Sequence, residues 1–116
     1  MKFEHKELFS LHADFCRTLG NPKRLMILDC LSKKKESSVG EIAEAIQVPL
    51  TNVSQHLNIL RSANIVRFRK EGQMVYYCLV DDRITLACIT IRSILLDSMK
   101  EQGQIANGVE ADNLIR

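Results

Sequence analysis

The chain has no tryptophan, only two prolines and only five glycines in 116 residues. So little proline and glycine excludes collagen-like and linker-rich architectures and leaves few places where a regular element must break. No apolar run approaches the roughly 20 residues of a membrane span. The opening MKFEHKELFS lacks the apolar core of a signal peptide, so no membrane partner and a cytoplasmic location are expected. The four cysteines (Cys16, Cys30, Cys78 and Cys88) contain no CxxC pair, and in a reducing compartment they are expected as thiols. No glycine-rich loop, carboxylate pair or third orienting group accompanies His12 and Cys16, so the chain is not read as an enzyme.

What is present describes one ordinary globular domain, 46% hydrophobic and 26% charged. The net charge of +2 permits nucleic-acid binding without demanding it. Leu8, Leu11, Phe15 and Leu19 recur at spacings of three and four, which predicts a helix over about residues 5–19, ended by Gly20. Asn21-Pro22 starts a second helix, with Asn as N-cap and Pro at the first helical position, burying Leu25, Leu28 and Leu31. It fades into the solvated run Lys33-Lys34-Lys35. Ser38-Val39-Gly40-Glu41 fits a capping box for a third helix, whose buried face is Val39, Ile42, Ala43 and Ile46. Val48-Pro49 breaks it before a fourth helix, PLTNVSQHLNILR. Two short helices joined by a tight break are the helix-turn-helix pattern.

Val66 and Phe68 then alternate with Arg67 and Arg69, and Val75, Tyr77 and Leu79 alternate with Met74, Tyr76 and Cys78. Lys70-Glu71-Gly72-Gln73 between them completes a β-hairpin. A last helix over about residues 82–102 carries the stripe Ile84, Cys88, Ile91, Leu95 and Met99, broadened by Ala87, Ile94 and Leu96. A helix this apolar at the end of a small domain needs a dimer seam. The fold class is therefore α+β, mostly helical: four helices, a hairpin and a fifth helix as a winged helix-turn-helix. Residues 1–102 are expected to form the DNA-binding and dimerisation domain and 103–116 a polar tail.

At about 100° per residue, Val53, Leu57 and Leu60 of the fourth helix fall in one arc and bury. Thr51, Ser54, Gln55, Asn58 and Arg61 occupy the opposite arc, and His56 sits on the flank nearer the core. The polar arc contains no carboxylate. Asn and Gln amides match the donor and acceptor of an adenine edge, Ser and Thr serve either role, and Arg suits guanine or phosphate. An uncharged polar face could simply be solvated. Beside a hairpin with outward Arg67, Arg69 and Lys70, it reads as a helix that enters the major groove next to a wing.

The blocks LGNPKRLMIL, SSVGEIAEAI, NVSQHLNILRSANIV and RKEGQMVYYCL resemble the ArsR/SmtB family of winged-helix repressors over about residues 12–100. The resemblance implies a homodimer, formed through the first and last helices, that binds an inverted-repeat operator in double-stranded DNA and releases it on binding an inducer. It also implies DNA contacts from Asn52, Ser54, Gln55 and Asn58, with Arg67, Arg69 and Lys70 in the wing. Pro49 stands where the family usually has a Ser or Thr cap, which leaves Thr51 as the alternative cap. The family's soft-metal Cys-x-Cys-x-x-Cys falls on Ser38, Gly40 and Ala43. Its final-helix metal site falls on Asp82, Ile84, Leu95 and Ser98, and no histidine follows His56. Neither site is retained.

What survives is thiol chemistry. His12 and Cys16 are neighbours on one helix face, and the dimer geometry implied by the family would bring Cys16 toward Cys88. That pair suits a thiol redox or reactive-sulfur switch, or a thiophilic metal or metalloid ion as cofactor. Cys30 is one position beyond the cysteine of reactive-sulfur relatives, where this chain has Asp29, and their partner cysteine falls near Leu96, which is not a cysteine here. Cysteines equally serve as small buried hydrophobes. A winged-helix repressor without a thiol or metal sensor, or a protein-interaction module, remains the alternative.

Overall fold

The computed structural model describes residues 4–103. The tail expected over 103–116 lies, beyond Gly103, outside the described residues. The order is α1 (Glu4–Leu19), α2 (Pro22–Lys33), β1 (Ser37–Ser38), α3 (Val39–Ile46), α4 (Leu50–Ser62), β2 (Val66–Glu71), β3 (Met74–Leu79) and α5 (Arg83–Glu101). This is the expected winged helix-turn-helix, with one strand more than the sequence disclosed. Ser37 and Ser38 pair antiparallel with Tyr77 and Tyr76, so the sheet runs β1-β3-β2.

Local chemistry accounts for most of the boundaries. The Asn21 side chain accepts from the backbone N–H groups of Lys23 at 2.9 Å and Arg24 at 3.2 Å, and Pro22 follows at the first helical position. The capping box closes α3: Ser38 Oγ accepts from the Glu41 N–H at 3.2 Å, while Glu41 Oε1 accepts from the Ser38 N–H at 2.8 Å. Two left-handed residues then aim α4. Gln47 (φ 56°) ends α3, and Asn64 (φ 60°) ends α4 in a Schellman turn with Ile65 N–H on the Leu60 carbonyl at 2.9 Å. Ile65 is thereby driven fully into the core. At the hairpin tip, Glu71 opposes Met74 and only Gly72 of the two central residues has positive φ, as a type II′ turn requires.

The core joins Ile27, Leu28 and Leu31 of α2, Ile42 and Ile46 of α3, and Val53, Leu57 and Leu60 of α4 to Ile65, Val66, Tyr77 and Leu79. Four expectations are corrected. Leu25 is only half-buried and Ile27 takes the innermost place on α2, because α2 is covered by α3 and α4 as well as β3. Thr51 does not cap α4: Pro49 holds the N-cap position, with no side-chain hydrogen bond. Phe68 is exposed instead of inward, lying 5.7 Å from the Tyr77 ring and beneath the Arg61 guanidinium at 4.9 Å.

The fourth correction concerns α5. Its inward face is Cys88 and Leu96 with half-buried Ile84 and Arg92, whereas Ile91, Ile94 and Leu95 are more than half exposed. The stripe read from sequence is thus two faces. Packing on α2 uses one, and the other lies open. Leu8, Phe9 and Leu11 of α1 are also more than half exposed, and only Phe15 and Leu19 of that helix reach the core.

Candidate nucleic-acid interface

Helix α4 is set by its apolar side: Val53, Leu57 and Leu60 are all fully buried. With that face fixed, Thr51, Gln55, Asn58 and Arg61 are exposed and Asn52 and Ser54 half-buried. The polar arc expected from sequence therefore faces outward. It carries no acidic residue from Leu50 to Ser62.

His56, on the flank, has a structural task that sequence spacing did not disclose. Arg24 Nε donates to His56 Nδ1 at 3.2 Å, and Arg24 Nη1 donates to the Thr18 carbonyl at 3.1 Å. One guanidinium thus ties the end of α1 and the start of α2 to α4. Burial, and then the Arg24 and Lys23 cations, push the His56 pKa below its ordinary value, which keeps the imidazole neutral and able to accept. No sequence signal pairs residues 32 apart, so this contact could not be anticipated.

The wing divides its three expected cations. Arg67 and Lys70 are exposed, and neither side chain has a hydrogen bond or ion pair among the described residues. Arg69 is held differently. Its Nε and Nη2 donate to Glu36 at 2.7 and 2.9 Å, Nη1 donates to Glu71 at 2.6 Å, and the guanidinium lies 4.9 Å over the Tyr76 ring. The two carboxylates raise the Arg69 pKa, and Arg69 in turn lowers that of Glu36. Arg69 thus props the wing against the β1 approach with its charge balanced locally.

The candidate sensor residues do not assemble within one chain. Cys16 and His12 are exposed on α1. Cys88 is buried against Leu25, Leu28 and Asp29 of α2, beside Arg92. Cys30 is half-buried beside Glu41 and Ala45, and Cys78 is half-buried on β3. Burial raises the thiol pKa of both Cys30 and Cys88, so each stays protonated and weakly nucleophilic. No three His, Cys, Asp or Glu side chains gather as metal ligands among the described residues, so the donors of a single chain do not fit a metal ion.

Sequence reasoning also missed Asp29. It is 5% exposed and sits between Lys33 Nζ at 2.8 Å and Arg92 Nη2 at 3.4 Å, joining α2 to α5.

Comparison with known proteins places this geometry. The Helix-turn-helix domain family matches residues 19–68. An uncharacterised HTH-type transcriptional regulator of Methanocaldococcus jannaschii is 40% identical over 78 residues, covering 67% of this chain and 88% of the relative. A transcriptional repressor SmtB homolog of Synechocystis is 38% identical over 72 residues, covering 62% of this chain and 54% of the relative. The solution structure of a homodimeric winged helix-turn-helix DNA-binding domain from Mycobacterium bovis, named as a possible ArsR-family regulator, superposes with a TM-score of 0.72. It is 27% identical and covers 92% of this chain and 97% of that one. Among the described residues no helix is long and apolar enough to cross a membrane.

Proposed function

The chain belongs to the ArsR/SmtB family of winged-helix transcriptional regulators, and from that premise we propose that it is a homodimeric repressor of an inverted-repeat operator, acting in the cytoplasm. The observation that carries the DNA reading is the carboxylate-free polar face of α4 standing next to two uncommitted wing cations. Thr51, Asn52, Ser54, Gln55 and Asn58 read base edges in the major groove. Arg61, Arg67 and Lys70 meet the phosphate backbone. Arg69 orients the wing.

The dimer rests on surface that one chain leaves uncovered. Leu8 and Leu11 of α1 and Ile91, Ile94 and Leu95 of α5 stay more than half exposed. A helix such as α1, with residues 5–14 all exposed, gains little stability alone. A twofold seam of α1 and α5 covers both faces and sets two copies of α4 at half-sites about one helical turn apart.

The reading is tested by fluorescence anisotropy with a duplex from the chain's own upstream region and a scrambled duplex. Gln55→Ala should lose about tenfold in affinity for the first and little for the second, the scale of one bidentate base contact. Equal binding to both duplexes by the unaltered chain, or a protein partner that co-purifies while Gln55→Ala changes nothing, would overturn it in favour of an interaction module.

For release, a thiol switch is favoured by one observation: Cys16 is exposed, and it lies on the helix that forms the seam. Oxidation by diamide joins Cys16 to a second thiol, Cys88 brought near it by the dimer, as the diamide is reduced to its hydrazine; a thiophilic metal or metalloid ion would be captured by the same pair. Cys16→Ser should bind the operator normally and fail to release it on treatment with diamide. Undiminished release by that variant would sink the switch and leave a repressor without a thiol sensor.

A further inference from the structure

A cavity of about 720 Å³ lies between the C-terminal end of α2, the base of the wing and the first turns of α5. That size is within the range of small-molecule sites, roughly 300–1,000 Å³. Its wall combines Lys33, Lys35, Arg67 and Cys78 with Leu86 and Ile89. Lys33 is already paired with Asp29. Lys35 and Arg67 have no side-chain hydrogen bond or ion pair among the described residues. Asp82 is the one carboxylate of the wall, so two free cations face a single acid. In the same wall, Leu86 is 65% exposed and forms an apolar floor with half-buried Ile89. Leu86 and Ile89 also point well over a right angle away from the Ile91, Ile94 and Leu95 face at about 100° per residue, so the seam does not cover them.

We infer that this cavity binds a small amphiphilic carboxylate, its anionic end on Arg67 and Lys35 and its apolar body on Leu86 and Ile89. Cations that meet an apolar floor suit such a molecule, because the carboxylate gains charge-assisted hydrogen bonds while the chain removes Leu86 from water. A simple anion would leave Leu86 wet, and a neutral hydrocarbon would leave both cations without a partner. The site also has a regulatory consequence, which rests on the DNA reading above. Arg67 belongs both to the cavity and to the wing, so a bound carboxylate competes with a DNA phosphate for the same guanidinium. The ligand therefore weakens operator binding through the wing and independently of Cys16.

The test begins without DNA. Octanoate, 1-octanol and acetate are titrated into the full-length isotope-labelled dimer by amide chemical shift and by calorimetry. Octanoate should bind at least about tenfold more tightly than either control, the scale of one charge-assisted hydrogen bond. Its shifts should centre on Arg67, Leu86 and Ile89. Leu86→Ser and Lys35→Gln, both at exposed positions outside the recognition face and the seam and neither adding a carboxylate beside Arg67, should each lose that binding and keep operator affinity. Equal binding of acetate or of 1-octanol, or shifts centred elsewhere, would overturn the site. Where octanoate binds as described, it should release the operator from the unaltered chain and from Cys16→Ser but not from Leu86→Ser. Binding without any release would overturn the coupling to Arg67. A chain that never binds its operator in the absence of octanoate would instead refute the repressor reading, and the DNA-free titration separates the two.

Discussion

Removing the carboxylates that hold Arg69 should make the protein bind DNA more tightly. Glu36 and Glu71 take all three of the guanidinium's hydrogen bonds, at 2.6 to 2.9 Å, and the replacements Glu36→Gln and Glu71→Gln together leave its charge uncompensated. Glu36 is half-exposed and Glu71 exposed, so the fold should hardly notice and the urea midpoint should move little. The DNA should notice. Each wing gains one cation free to replace a condensed counterion, two per dimer, and the dependence of log K on log salt steepens by about 0.9 for each, or about 1.8 in all. Between about 0.3 and about 0.1 M salt the double variant should therefore gain about sevenfold more affinity than the unaltered chain. Anisotropy titrations at several salt concentrations give both slopes directly. Phosphate contacts carry no sequence information, so operator and scrambled duplexes should gain alike. An unchanged slope would show that Arg69 does not face the phosphates. A gain confined to the operator would show that it reads a base instead.

Three further outcomes follow from the same geometry. His56 has a folded pKa held below its ordinary 6.5. Near that pH the unfolded chain takes up a proton that the folded chain accepts only at lower pH, so stability is full above about 6.5 and falls as pH drops through the folded value. The urea midpoint should decline from about pH 7 to about pH 5.5, above the carboxylate range, and His56→Gln should flatten that decline; an equal slope in the variant would exclude His56 as its source. Leu57→Ala, at a fully buried position beneath the recognition face, should cost about 2–5 kcal/mol in urea unfolding, and a loss below about 1 kcal/mol would mean α4 is not anchored there. Iodoacetamide followed by mass spectrometry should find exposed Cys16 alkylated first and buried Cys88, whose thiol pKa is raised, last; equal rates would contradict the packing of α5 on α2.

The elements and the reading face were legible in the sequence because their causes are local. Asn21-Pro22, the Ser38–Glu41 box, the glycine of the hairpin tip and the apolar rows of α3 and α4 each act within one or two helical turns, and each appears where its chemistry requires. Once Val53, Leu57 and Leu60 are committed inward, the outward direction of Gln55 and Asn58 follows from helix geometry alone. Even Asn64, a left-handed helix terminator just before an apolar pair, was available as a signal.

What only the tertiary structure decided involves residues far apart in the chain. Whether a wing cation is free or held depends on Glu36, which is 33 residues from Arg69. The clasp of Arg24 on His56 spans 32 residues, and the pair Asp29–Arg92 spans 63. The apolar band of α5 looked single because periodicity reports how much of a helix is apolar but not which neighbour covers it. Packing on α2 divided the band, placing Cys88 inside and leaving Ile91 and Leu95 outside. Spacing along a helix follows from its pitch, whereas the contacts that commit a charge or bury a thiol exist only after the chain has closed on itself.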